Sequence, residues 1–513
     1  MSPTRPSTDC VDLHHYPDAQ MHPVNPRRVS FLGEFGGMGV ALEGHVLDPK
    51  GRARTLTPVE PRTWQKTQHD CYAKRMERVV ELAGKGLGGS VYTEAIDQFW
   101  ELGGFVTFDR AIVKLDYAFL RQLHQRVYDA ARIAAETPLP KKAGLSVDWQ
   151  WAPALDCGEW PRLQTLADGR LAFSYARNPR KDAVGNAHVI RWSTDKGRSW
   201  SNAQAVISPF VRTNAQGAAV AYSILNPELL QLPANHPNRP GRLIAMANLR
   251  PTAAAPRTPY SIGFAVSDDA GRTWSPLKAL LPLAGDAAAN DRRCWEPFAV
   301  TRPDGTLDLY YTDISAPPGG KSCRNISRFV SHDGGDTWTG PEIVLRDHAA
   351  GFGIGIPSAT TSNGNLYLAH EAHPKSHPDW PARPFVAMTR ADAPFAAAPT
   401  VFDPFVQAIP GEIYCGAPYL VQTENYFVLS AQYGKIVPKK DPTSGTEMRV
   451  WAMPKAKVGA AGELNAFVPV ENPLGETRPM HWNGLAPLGG DEVMACGQRG
   501  ADLFLIRGRV LNR

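Results

Sequence analysis

The chain has 513 residues, 43% of them hydrophobic and 20% charged, with 45 Gly, 45 Pro and 13 Trp. That is a soluble globular composition, which excludes the disordered, collagen-like and membrane classes. The 55 basic and 50 acidic residues leave a formal charge of +5 with no basic stripe, which excludes nucleic acid as the expected partner.

Length allows two to four domains, or one large repeat array. The seven cysteines (Cys10, Cys71, Cys157, Cys294, Cys323, Cys415, Cys496) are odd in number and far apart. They are expected to be buried free thiols, with neither a disulfide framework nor a metal site. The start, MSPTRPSTDCVDLHHYPD, has no basic n-region and no apolar h-region. As written, the chain is expected to be cytoplasmic, or secreted or periplasmic if an upstream start carries a signal peptide. No membrane partner is expected, and nothing in the sequence sets the oligomeric state.

Residues 1–140 alternate helix-like and strand-like stretches. Tyr72, Met76, Val79, Val80 and Ala83 fall on one helical face ending at Gly84, and Tyr117, Leu120, Leu123 and Val127 mark a second helix. Between them lie the short strand SVYT (90–93) and the segment GGFVTFDRAIVKLD. Together with GEFGGMG (33–39), these resemble the last two βα units of the barrel of β-galactosidase and β-glucuronidase type glycosidases. The resemblance implies a partial TIM barrel over 1–140 and makes Glu34 the counterpart of the nucleophile. The acid/base residue of that family lies on an earlier strand that the sequence does not contain.

From residue 141 to 513 the chain is a repeat array. An octapeptide, Ser-x-Asp-x-Gly-x-Thr/Ser-Trp, occurs as STDKGRSW (193–200), SDDAGRTW (267–274) and SHDGGDTW (331–338). Each follows an apolar β-rich run and reads as a turn in which Asp accepts amide hydrogens, Gly supplies a positive φ and Trp packs back. A second repeat sets a proline before an apolar stretch and a tight turn, at Pro161, Pro227, Pro297, Pro357, Pro418 and Pro487. Six units of about 62 residues, each strand-turn-strand-loop-strand-turn-strand, predict a mainly β fold, a six-bladed propeller.

The octapeptide is the Asp-box (BNR repeat), and three copies in a six-unit array resemble the six-bladed propeller of sialidases and their relatives. In such a fold the residues beside the six prolines, and those ending each second strand, converge on one pocket. They include Glu159, Trp160, Asn226, Glu228, Trp295 and Glu296, then Arg177, Arg250, Asp313 and Glu371, with Arg293 nearby.

Glu296, in RRCWEPF, is the leading catalytic candidate, because a carboxylate at the start of a buried strand is costly unless paired or used. The resemblance sets it where sialidases carry the glutamate that assists their nucleophile, and matches it to the WEP glutamate of exo-arabinanases. Asp182, in the loop ARNPRKDAVGN, falls where the sialidase pattern has its general acid. Glu371 stands between His370 and His373, but neighbouring residues of a strand face opposite ways, so AHEAHP is read as a pocket segment and not a metal site.

Three departures from sialidases point away from sialic acid. The first blade has Glu159-Trp160-Pro161 where sialidases have Arg-Ile-Pro, Tyr311 stands at a carboxylate-binding arginine, and Trp482 at the nucleophilic tyrosine. The resemblance therefore implies a glycosidase of the sialidase-like superfamily, exo-acting on a terminal sugar, and the pocket carboxylates point to a two-carboxylate mechanism on a neutral sugar without cofactors. Glu296 would be nucleophile or base; Asp182, Glu228 or Glu371 the acid; Trp160, Trp295 and Trp482 stacking platforms. The alternative is a non-catalytic glycan-binding propeller.

Overall fold

The computed structural model describes residues 10–21, 29–47, 63–98, 101–136, 145–178, 184–252, 258–287, 293–314, 324–346, 352–374, 382–395, 399–404, 413–434, 447–470, 481–499 and 501–512. The chain divides into two compact units, Met1–Lys141 and Lys142–Arg513.

In the first unit, strands β1 (Cys10–His14), β2 (Val29–Gly36) and β3 (Leu87–Thr93) form a parallel sheet in that order. Helix α1 (Trp64–Gly84) leads from β2 to β3, and α2 (Tyr117–Glu136) follows β3. The stripe Tyr72, Met76, Val79 and Ala83 is buried, and most of it joins Leu120 and Leu123 in one core beneath the sheet. Tyr117, expected on the apolar face of α2, is 62% exposed at the helix start. Glu34, near the carboxyl end of β2, accepts a hydrogen bond from the Tyr16 hydroxyl and lies 3.3 Å from His14 Nδ1.

The second unit contains six antiparallel sheets. Their first strands are Glu159–Thr165, Ala219–Gln231, Cys294–Thr301, Phe352–Ser362, Ile413–Gln422 and His481–Gly489. Each touches the next, and the last touches the first, so they ring a central axis. The outermost strand of the sixth blade is Leu145–Cys157, which pairs with Asp502–Asn512. The circle thus closes by a strand that precedes blade one in sequence, and no propeller edge is left between first and last blades.

All six first strands carry a β-bulge at one level, with pairing shifts at Glu159/Arg162, Leu225/Glu228, Trp295/Phe298, Gly355/Ser358, Gly416/Tyr419 and His481/Gly484. The bulged residues Trp160, Asn226, Glu296, Ile356, Ala417 and Trp482 all have φ between 43 and 52°. A non-glycine residue held there costs on the order of 1–3 kcal/mol, and such strain clusters at functional sites. In five blades proline follows, where the interrupted ladder needs no amide donor. In the sixth the following residue is Asn483, so the sixth repeat position is Trp482-Asn483; Pro487 lies further along the same strand, opposite Val493.

The three Asp-boxes close the turns between third and fourth strands, at the end of the propeller opposite the bulges. In each, Asp accepts from the residue four positions on, through its amide (2.8, 2.9 and 2.9 Å) and its hydroxyl (2.6, 2.6 and 2.5 Å). Gly197, Gly271 and Gly335 have φ of 82, 88 and 90°, and their amides bond the first serine of each box. Trp200 and Trp338 pack on Phe173 and Phe264.

These turns hold the carboxyls of Asp195, Asp269 and Asp333 at about 2. A depressed acid stabilises the fold above its unfolded pKa and loses that contribution as pH falls toward the folded value. Burial holds His188 neutral down to about 3 and His370 to about 4, which acts in the same sense below about 6.5. Glu228 and Glu296, raised to about 7, act oppositely between about pH 7 and 4.5. Urea midpoints are therefore expected to change little from pH 7 to 5 and to drop steeply between about pH 4 and 2. A midpoint that holds at pH 3 refutes the Asp-box contribution.

Candidate active site

Two residues beyond the bulges of blades one, two, three and five, the side chains meet across the axis. Arg162 of blade one lies with Nε 3.5 Å from Glu228 Oε2 of blade two, and its guanidinium is 5.4 Å from the ring centre of Tyr419 in blade five. The Tyr419 hydroxyl donates to Glu228 (3.3 Å), and Phe298 of blade three meets the Tyr419 ring edge-on at 5.7 Å. Contacts between blades so far apart around the circle are possible only across the axis. Glu228, a candidate acid in the sequence, is 3% exposed and tied into this cluster, a plug on the axis. Burial pushes its carboxyl up to about 7, against the pull of Arg162.

Above the plug, Glu296 occupies the bulge of blade three and is 8% exposed. Its Oε2 accepts from the Thr312 hydroxyl at 2.9 Å, and the Ile356 amide donates to that same hydroxyl oxygen at 2.9 Å. The Thr312 proton is thereby committed to Oε2, which leaves Oε1 to carry a proton. Glu371, on the second strand of blade four, accepts from Arg324 (2.9 Å) at Oε1 and from the Ala417 amide (2.9 Å) at Oε2. Donors of this kind favour an ionised carboxylate. Burial, then the charge of Glu371, raises Glu296 to about 7, against Thr312, Arg324 and Arg162. Two carboxyls with environments that push them apart are an acid–base pair in the making.

Two glycines make room for this arrangement. A Cβ on Gly416 would stand 2.0 Å from Glu371 Oε2, and one on Gly355 would stand 2.6 Å from the Arg324 guanidinium. Gly416 also has a φ of 83°. Gly416→Ala is expected to displace the Glu371 carboxylate and lower turnover at least ~100-fold, as misplacement by about 1 Å does. Turnover within twofold of wild type in a folded variant removes Glu371 from the chemistry.

The remaining candidates line the same end. Trp160 and Trp482 pack on each other, centroids 5.9 Å apart. Glu159 accepts from Asn186 Nδ2 at 3.1 Å. Arg177 ends the second strand of blade one, half-buried. The guanidinium of Arg250 lies 4.6 Å from the Trp295 ring centre and 5.8 Å from that of Tyr260. Arg293 is exposed. Asn226 is 4% exposed, and neither atom of its amide has a partner among the described residues. Asp313 accepts from Ser327 (2.8 Å) inside blade three. His370 turns away from Glu371 and stacks on Phe385, and no group of metal ligands occurs among the described residues. Asp182, Arg292 and the side chain of His373 lie outside the described residues. Arg324, Thr312, Gly355 and Gly416 were not found from sequence, although the glycines two positions before Pro357 and Pro418 are a legible signal in hindsight.

The fold and its site define a six-bladed propeller with Asp-boxes and two buried carboxyls, Glu296 and Glu371, at the end where the bulges lie. Residues 241–395 match the BNR repeat-like domain. A 176-residue stretch is 27% identical to the anhydrosialidase of Macrobdella decora, covering 34% of this chain and 19% of that protein's length. The propeller resembles the α-L-arabinanase of Penicillium chrysogenum complexed with arabinobiose (TM-score 0.50, 18% identity, 72% of this chain and 98% of that one). It also resembles an α-L-arabinofuranosidase of Fusarium graminearum bound to an iminosugar inhibitor (TM-score 0.51, 18% identity, 71% and 97%). At these identities the structural likeness establishes the fold. No helix among the described residues is long and apolar enough to cross a membrane.

Proposed function

We propose that the chain is an exo-acting glycoside hydrolase that removes a terminal sugar, with Glu296 and Glu371 as its carboxyl pair. The observation that carries this reading is the contrast between them. Glu296 is buried without a cationic hydrogen-bond partner and titrates near 7, while Arg324 and the Ala417 amide hold Glu371. Names among the similar proteins, a sialidase relative and two arabinan-directed enzymes, support a carbohydrate substrate.

In this reading Glu296, protonated at Oε1, donates to the glycosidic oxygen as the bond breaks. Glu371, ionised, attacks the anomeric carbon or activates the water that does. That reverses the division expected from the sequence, because the nearest cation serves Glu371 and not Glu296. Trp160 and Trp482 offer apolar faces for sugar rings. The chemistry calls for water alone, so no cofactor is proposed.

The test is a panel of aryl glycosides, including arabinofuranosides and sialosides, run on the full chain. Turnover of at least one substrate that depends on both carboxyls is expected. Saturable sugar binding without turnover of any panel member would establish the glycan-binding alternative.

A further inference from the structure

We infer that Arg250 forms an anion subsite beside the carboxyl pair, so that the glycan accepted here carries a negatively charged group, a carboxylate or a sulfate. This rests on the proposed function, names its substrate class and departs from the neutral sugar expected from the sequence.

The positions from which a sialidase-type arginine cluster would act do not supply it. Tyr311 is fully buried, its ring stacked on Phe329 in the seam of blades two and three. Trp160 and Trp482 occupy the mouth of blades one and six as an apolar pair. Of the other cations near the carboxyls, Arg324 is engaged by Glu371 and Arg162 by Glu228.

Arg250 differs from both. It ends the second strand of blade two, paired with Ser223 in the ladder, and reaches across the seam to blade three. There its guanidinium carbon lies 4.6 Å from the ring centre of Trp295, the residue immediately before Glu296, and 5.8 Å from that of Tyr260, which itself meets Trp295 edge-on at 5.4 Å. Stacking uses the face of a guanidinium and leaves its in-plane N–H donors unused. Among the described residues no carboxylate or carbonyl accepts from Arg250, and the group is only half-buried.

A cation held against an aromatic ring whose chain neighbour is Glu296, with no acceptor among the described residues, suits a carboxylate or sulfate. Ordering the fork in advance removes the rotamer entropy that binding would otherwise cost. Exposed Arg293, two residues before Trp295, adds positive potential on the approach.

The experiment is calorimetric titration of the full-length protein with methyl β-D-glucuronide, N-acetylneuraminate, glucose 6-sulfate and neutral methyl β-D-glucoside. At least one anionic sugar is expected to bind about 10- to 100-fold more tightly than the neutral one, as hydrogen bonds to charged groups do. That preference should weaken with added salt. The carboxylate and sulfate arms separate the two anion types. Arg250→Gln, which keeps the side-chain stem, and Arg250→Ala should both erase the preference, with circular dichroism confirming the fold. Equal affinity for charged and neutral sugars, absence of binding by all four, or a preference that survives both substitutions overturns the inference. Glu296-dependent hydrolysis of neutral glycosides with no anion preference would sink the subsite and spare the hydrolase reading. Arg250-dependent anion binding without hydrolysis would do the reverse.

Discussion

Glu296→Gln is expected to lower turnover of substrates with poor leaving groups by ~10²–10⁴-fold, the range lost when a general acid is removed. The amide keeps the size of the side chain and can still accept from Thr312, so the loss isolates the proton. Substrates with activated leaving groups, such as dinitrophenyl glycosides, need little protonic assistance and should be cleaved by the variant at rates closer to wild type. The wild-type profile carries the complementary sign. Glu296 titrates near 7, so activity that needs its protonated form falls above about pH 7. In Glu296→Gln the residual activity on activated substrates should lose that alkaline limb. If the wild-type profile instead falls below pH 7 and stays flat above it, Glu296 works as a carboxylate and the two roles exchange.

Arg162→Ala is expected to destabilise the propeller by about 3–5 kcal/mol, the cost of leaving one member of a buried ion pair alone. Arg162 spans the axis between Glu228 and Tyr419, so its loss also opens a void where blades one, two and five meet. Glu228 escapes part of the penalty by taking up a proton. Its carboxyl is already raised to about 7, so the destabilisation should be smaller at pH 5 than at pH 8. Urea unfolding at both values measures this. The charge-free double variant Arg162→Met/Glu228→Gln should recover much of the loss, since well-packed uncharged replacements often match a buried pair. A single-variant cost under about 1 kcal/mol would mean that the plug contributes little to holding the blades.

Much of this molecule was legible because repetition is a strong signal. Three Asp-boxes and five X-Pro steps gave the propeller and its blade boundaries, each with a local physical cause: a carboxylate that satisfies turn amides, and a bulge that needs no amide donor. The sixth boundary lies at Trp482 and not at Pro487, because what recurs in all six blades is the left-handed bulge, which Trp482 fulfils before an asparagine. Glu296 stood out as a charge inside a buried strand, and Glu371 as a carboxylate at a strand end.

What the sequence could not rank was which carboxylates meet. Glu228 and Glu296 hold neighbouring positions in the same repeat, but the bulge sends one side chain to the mouth and the next level to the axis. Arg324 finds Glu371 across 47 residues and the Ala417 amide finds it across 46, distances over which no local pattern operates. Propensity and turn chemistry act within a few residues and so determined the blades. The Glu296 carboxyl is raised by burial and by the charge of Glu371 on the next blade, so only the closed ring decided it.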